Sequence, residues 1–449
     1  MATRSNTPRR GKMVNGFDPS TTGTLDKRTR EFVERRAHLL GPAYRLFYAD
    51  PVEFVRAHDV LMYDVDGNEY LDAYNNVVSV GHGNPHVVEA VHAQMQTLCT
   101  HTRYMHDGIL NFAKKLLGSF EDDIGHMMLT CTGSEANDLA LRMAKHHTGN
   151  KGIIVTSEAY HGNSDLSASF SPSLGENAPL GTWVRRVSAP DTYRVSTNDM
   201  GTWLAGEVSK QVHDLQRRGE GVAAFVVDSL FSSDGVFAHD HPILKPAVDV
   251  VREAGGLFVA DEVQCGFARS GSHMWGYQRH DVVPDIITMG KPMGNGYPVA
   301  GVAMRPHVVE AFGNDMRYFN TFGGNTVAVA AANATFDVIK DQNLLHNSAQ
   351  VGAMLKAGVE SLARSDERIG DVRGAGLYLG VEMVSDRETK TPDSKLALGL
   401  VNAMRAKRVL ISATGFNANV LKIRPPLTFT PAHVDRFLSA LESALRESR

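Results

Sequence analysis

Cysteine is scarce in this chain. Three residues, Cys99, Cys131 and Cys265, lie far apart among 449. So sparse and odd a count excludes a disulfide framework, offers no metal-type spacing, and suits a reducing compartment such as the cytoplasm. No apolar run is long enough to span a bilayer, so no membrane role is expected. Acidic and basic residues nearly cancel, at a formal net charge of -4, and no global field argues for nucleic acid. The first dozen residues hold Arg4, Arg9, Arg10 and Lys12 but no apolar stretch. They read as a basic tail rather than a secretory signal or transit peptide. Spaced-glycine phosphate loops are absent too, which argues against a nicotinamide dehydrogenase or a nucleotide kinase.

What remains is ordinary globular composition, 43% hydrophobic and 21% charged, enough for a large core in about two to three domains. Residues 1–23 read as a disordered tail. Residues 24–40 read as a charged amphipathic helix stopped by Gly41-Pro42, and the Asp66-Gly67 pair between alternating apolar residues as a hairpin. Residues 24–85 form an N-terminal segment of helix and short strands assigned to a small domain. From residue 86 to 335, apolar runs alternate with helical ones. Strands are expected at Met127–Thr130, Ile153–Ser157, Ala223–Val227, Leu257–Ala260, Ile286–Met289 and Val299–Met304. Helices are expected at Glu135–His147 and Leu244–Ala254. Most of the strands are apolar throughout, as strands buried on both faces are. The pattern predicts an α/β domain with a mostly parallel sheet. Residues 336–449 read as a separate α+β domain, with strands at Gly374–Val384 and Val409–Ser412 and helices at Lys395–Lys407 and Ala432–Glu447.

Ligands of such sheets bind beyond the carboxyl ends of the strands. Lys291 follows one such end, after Ile286–Met289 and Gly290. It is either a solvated turn residue or a desolvated amine of lowered pKa, suited to attack a carbonyl. Asp261 closes the Leu257 strand, where burial demands a partner. That partner is a cationic heterocycle nitrogen, or Asp261 caps a following helix. Gly133 and Ser134 open a helix and offer a phosphate cradle or a plain capping turn. Tyr160 and His161 either pack or face a flat ring.

Taken together, Leu71-Asp-Ala-Tyr-Asn-Asn-Val-Val-Ser-Val-Gly-His82, Thr132-Gly-Ser-Glu-Ala-Asn-Asp138, Tyr160-His-Gly162, Asp261-Glu-Val-Gln264, Lys291 and Thr321-Phe-Gly-Gly-Asn-Thr326 are motifs in one order and spacing. Over about residues 40–435 the chain resembles the class III (subgroup II) aminotransferases, fold-type I enzymes of pyridoxal 5'-phosphate. The resemblance implies a large domain with a mostly parallel sheet and a smaller α+β domain. It implies that Lys291 forms the internal aldimine and moves the substrate's Cα proton, and that Asp261 keeps the pyridine nitrogen protonated. Gly133 and Ser134 would bind the phosphate, Tyr160 would stack on the ring with His161 beside it, Val263 would pack on the opposite face, and Gln264 would bond the ring hydroxyl. Thr321 would reach the phosphate in the neighbouring subunit of a homodimer. The activity implied is ping-pong transfer of an amino group from a primary amine or ω-amino acid to a keto acid.

Two positions depart from the commoner pattern. Many members carry a Glu-Pro-x-Gln-Gly-Glu-Gly segment; here Asp228-Ser-Leu-Phe-Ser-Ser-Asp-Gly235 puts Ser233 in place of the second glutamate. The usual substrate-carboxylate arginine aligns with Lys422, and Arg424 lies two residues on. Lysine does not reproduce a bidentate arginine, which argues against 4-aminobutyrate or ornithine as substrate. The Leu40–Phe47 entry, Tyr74-Asn-Asn76 and Thr100–Tyr104 are similar to a branch holding alanine–glyoxylate aminotransferase 2-like proteins and phospholyases. Arg45, Asn76, Arg103, Ser233, Lys422 and Arg424 are the substrate-site candidates; the four cations meet an anionic substrate group or form surface and inter-subunit ion pairs. The alternative activity is elimination of phosphate from an amine such as phosphoethanolamine. A fold retained only for binding is hard to reconcile with Lys291, Asp261 and Gln264 together.

Overall fold

The computed structural model describes residues 13–449. Its centre is a seven-stranded sheet with the spatial order His126–Thr130, Ala300–Met304, Ile286–Met289, Leu257–Asp261, Val222–Val227, Gly152–Thr156 and Val184–Val187. Only Ala300–Met304 runs against its neighbours, while the pairings from Ile286–Met289 to Val184–Val187 are parallel. The expected α/β fold with a mostly parallel sheet is what the chain adopts.

The strands are apolar throughout because both faces are covered. Ile154, Phe225, Phe258 and Ile287 enter one core cluster, and their neighbours Ile153, Ala224, Val259 and Ile286 enter another. Each fully buried Val, Ile or Phe contributes about 1.5–3 kcal/mol. The second cluster includes Ala136, Leu139, Ala140 and Met143, the inner face of the helix Gly133–Thr148. Strand alternation puts Asp261 and Thr288 on that same face, towards the helix.

A four-stranded sheet joins the two ends of the chain. Phe54–His58, Leu61–Asp64 and Glu69–Asp72 form an antiparallel meander, and Leu71 pairs in parallel with Val409. The Asp66-Gly67 turn falls inside this meander, with Gly67 at φ 82°. A further sheet carries Ile369–Ala375, Tyr378–Asp386, Val420–Ile423 and Ser412–Thr414 in that order, with Thr391–Pro392 beside the second strand.

Several expectations change in detail. The expected Gly374–Val384 strand is a hairpin: Ile369–Ala375 and Tyr378–Asp386 pair around Gly376, where φ is +54° and a Cβ would lie 2.6 Å from the Arg269 carbonyl oxygen. Val409–Ser412 is split between two sheets. The expected tail lies outside the described residues up to residue 12; beyond it, Pro19–Thr24 forms a 3-10 helix and Phe17 is buried. The helix expected from residue 24 begins at Lys27, because Asp26 caps it by accepting from the Arg28 and Thr29 amides.

Candidate active site

The parallel arrangement brings the carboxyl ends of the central strands to one edge. The segments that leave them supply Tyr160, His161, Asp228, Asp261, Val263, Gln264 and Lys291. With Gly133 and Ser134 they line a cavity of about 150 Å³.

Asp261 is the electrostatic centre of that cavity. Its Oδ2 accepts from His161 Nδ1 at 2.6 Å and from Asn137 Nδ2 at 2.9 Å. Its Oδ1 accepts from the Val263 amide at 3.1 Å. Burial pushes the Asp261 pKa up, but the His161 hydrogen bond and charge, with those of Val263 and Asn137, pull it below the usual carboxylate range. Asn137 also donates to the His161 carbonyl at 2.7 Å and accepts from Thr288 Oγ1 at 2.8 Å. One buried amide thus ties the helix Gly133–Thr148 to two strand ends. His161 stacks on Phe170, and its Nε2 is buried without a partner.

The cradle at the helix start is closely built. Thr132 caps the helix by accepting from the Glu135 amide at 3.2 Å, and Glu135 Oε2 returns to accept from the Cys131 amide at 2.7 Å. A side chain at Gly133 would put its Cβ 2.9 Å from Val263 Cγ1. Gly162, at φ +142°, passes so near Ser134 that a Cβ there would lie 2.6 Å from its Oγ. Glycine is required at both places. The exposed amides of a helix start suit a phosphate.

Lys291 is half-buried and stands where two compartments meet. It lines the inner cavity and a second space of about 320 Å³, as do Tyr160 and Gln264. Burial, and then the charge of Arg424, lowers its pKa to about 8, against the pull of Asp261 and Asp228. Its ammonium lies 5.9 Å from the centre of the Tyr160 ring. The turn bearing it is held by Asn295, which accepts from the Val80 amide at 3.0 Å and donates to the Gly81 carbonyl at 2.8 Å.

Lys422 and Arg424 line the outer compartment with Ser233. Leu421 and Ile423 between and beside them enter the core, so strand alternation turns the two cations to the other face. Both cations are buried. Arg424 donates through Nη1 to Gln264 Oε1 and lies over the Tyr74 ring at 4.6 Å. Tyr378 donates to the same Gln264 oxygen at 3.3 Å. Burial, followed by the Arg424 charge, holds the Lys422 ammonium well below its usual range. Among the described residues, neither cation forms an ion pair with a carboxylate.

Other expected site residues stand elsewhere. Arg45 is exposed, and Arg103 is exposed and lies over the Phe319 ring at 3.8 Å. Asn76 is buried with its Nδ2 unpartnered. None of the three lines either compartment. Thr321 is exposed in a turn, also away from both. Conversely, Asn137, Thr288, Asp228 and Tyr378 belong to the site without having been singled out. Asn137 and Asp228 lie within the segments 132–138 and 228–235, and a polar residue on the inner face of an otherwise apolar helix is the signal that marks Asn137.

A lysine amine of lowered pKa, a buried carboxylate held ionised and a glycine-lined helix start, all at one edge of a parallel sheet, define a pyridoxal-phosphate enzyme of fold-type I. Residues 48–445 match the family model of the class-III aminotransferases, and the chain belongs to that family, whose cofactor is pyridoxal 5'-phosphate. A Drosophila melanogaster protein described as alanine–glyoxylate aminotransferase 2-like is 39% identical, covering 92% of this chain and 87% of its own. A Caenorhabditis elegans ethanolamine-phosphate phospho-lyase homologue is 37% identical, covering 95% and 96%. Among solved structures, a phospholyase from Arthrobacter in complex with phosphoethanolamine matches with a TM-score of 0.89 at 39% identity, covering 92% of this chain and 99% of that one.

Proposed function

We propose that this enzyme eliminates phosphate from a small amine phosphorylated on the carbon next to the amine-bearing carbon, with phosphoethanolamine as the model substrate. One observation carries the reading: Lys422 and Arg424 are buried beside Lys291 and, among the described residues, neither forms an ion pair with a carboxylate, although the charges of Asp228 and Asp234 act on Lys422. A buried cation outside an ion pair is costly, and an anion beside it would favour the protonated form of Lys422. A phosphate dianion would relieve two at once, and a guanidinium matches it in a bidentate manner. Ser233, in place of an acid, removes one carboxylate that could cancel that charge. The likeness to the Arthrobacter phospholyase supports the same substrate class. Transamination, the activity first expected from the resemblance, uses the same lysine but gives these two cations no phosphate to hold.

In this reading Asp261 would hold the cofactor's ring nitrogen, Gly133 and Ser134 would hold its phosphate, Tyr160 and Val263 would flank its ring, and Gln264 would bond the ring hydroxyl. Thr321, exposed on its own subunit, would serve the partner's cofactor in a homodimer. When bound, the cofactor supplies an electron sink for the carbon next to the amine. Lys291, whose pKa burial lowers so that its neutral amine is within reach, takes the proton from that carbon. Lys422 and Arg424 stabilise the charge gathering on the departing phosphate, and Arg424 is steadied by Gln264 and Tyr74. The C–O bond breaks with its electron pair leaving on phosphate. Hydrolysis accounts for the rest: phosphoethanolamine and water give acetaldehyde, ammonia and phosphate.

The test is turnover of phosphoethanolamine with no keto acid present. Elimination releases inorganic phosphate over many cycles. Transamination stops after one equivalent of amine is consumed, and that result would sink the proposal.

A further inference from the structure

The outer compartment is not lined by charge alone. Met13, Val14 and Phe47 also line it. Met13 and Val14 come from the far N-terminal end of the described chain, and backbone pairing fastens them there. Gly16 bridges Phe47, the Phe17 amide donates to the Leu46 carbonyl at 2.8 Å, and the Tyr48 amide donates to the Asn15 carbonyl at 3.1 Å. Phe17 is buried with Leu25 and Val33 in a small cluster of its own. A turn in which the Gly16 amide donates to the Met13 carbonyl at 3.0 Å leads back to the compartment, with Asn15 at φ 60°.

An apolar wall beside two buried cations recognises a ligand with a compact organic part and one anionic end. We infer that Met13 and Val14 form a strap that determines how large an organic group a phosphorylated substrate can carry. The inference rests on the anion-binding reading of Lys422 and Arg424. It adds that a segment remote in sequence from Lys291 sets specificity through volume and apolarity. A mismatch of one or two methylene-sized groups in such a wall is worth about tenfold or more in selectivity.

The test uses unreactive probes on the holoenzyme. Methylphosphonate and phenylphosphonate carry the anion but no amine, and calorimetry gives both affinities. The unsubstituted enzyme should bind methylphosphonate at least about tenfold more tightly than phenylphosphonate. The double variant Met13→Ala, Val14→Ala should narrow that ratio about tenfold, chiefly by improving phenylphosphonate binding. Val14→Trp should weaken both, with the cofactor's absorbance and the melting temperature showing that the fold is kept. Methylphosphonate binding with a ratio unchanged by either variant would overturn the strap alone. No methylphosphonate binding to the unsubstituted enzyme would overturn the anion site, and the strap's role with it.

Discussion

His161 donates through Nδ1 to Asp261 Oδ2 at 2.6 Å, with both side chains buried. The imidazole therefore offsets the burial that pushes the Asp261 pKa up, and the carboxylate's pKa ends below its usual range. Asp261→Asn should lower kcat by about 10²–10³-fold, the scale for losing one preorganised charged group. His161→Phe should act more mildly and differently. With its first donor gone, the Asp261 pKa rises, so the acid limb of the kcat profile should move to higher pH. A variant that loses activity equally at every pH would show that His161 only packs.

Asn137 contributes by stability as well as by placement. Its amide meets Asp261, the His161 carbonyl and Thr288. Asn137→Ala leaves those buried groups short of partners, which costs about 1–3 kcal/mol for each one left unsatisfied. Thermal or urea unfolding of the variant should show a clear loss of stability. A melting temperature equal to that of the parent would contradict the network.

Lys291 gives the cofactor-free protein a pH dependence with a definite sign. Its folded pKa, about 8, lies below the ordinary lysine value. Between those two values the unfolded chain binds more protons than the folded one, so stability should rise with pH from about 8 towards the unfolded lysine pKa and be lost below the window. The free amine grows over the same range, so the rate of imine formation with added cofactor should climb through about pH 8 and level off. Lys291→Met should remove both effects and prevent cofactor attachment. Stability that falls through this window in the parent protein, or fails to change on substitution, would contradict the placement of the amine.

Lys422 separates binding from folding. Lys422→Met removes a buried cation that forms no ion pair among the described residues, so stability should hold or rise. Affinity for phosphoethanolamine should fall about tenfold or more, since a hydrogen bond to a charged group is worth about 1.5–3 kcal/mol. The same variant should handle unphosphorylated ethanolamine as the parent does. Equal losses of affinity for both amines, measured as Kd, would remove Lys422 from a phosphate role.

Much of this was legible in the chain because burial and chemistry coincide at the strand ends. Apolar runs closing in Asp261 or in Gly290-Lys291 reveal strand and site together. The edge strand Val184–Val187 escaped because its sequence, Val-Arg-Arg-Val, is half charged and exposes one Arg. Gly374–Val384 misled because a hairpin turning on Gly376 with Leu377 beneath it keeps the run apolar. Arg45 and Arg103 read equally as substrate cations or as surface and inter-subunit residues, and both are exposed on this chain. Sequence distance does not report side-chain direction, and sites completed by loops depend on it.

The most direct measurement follows phosphate, acetaldehyde and keto-acid dependence together as the purified holoenzyme consumes phosphoethanolamine. Elimination predicts phosphate and acetaldehyde in equal amounts over many turnovers, with no effect of added keto acid. Turnover that begins only when a keto acid is supplied, with an amino acid formed and phosphate retained on the product, would contradict it.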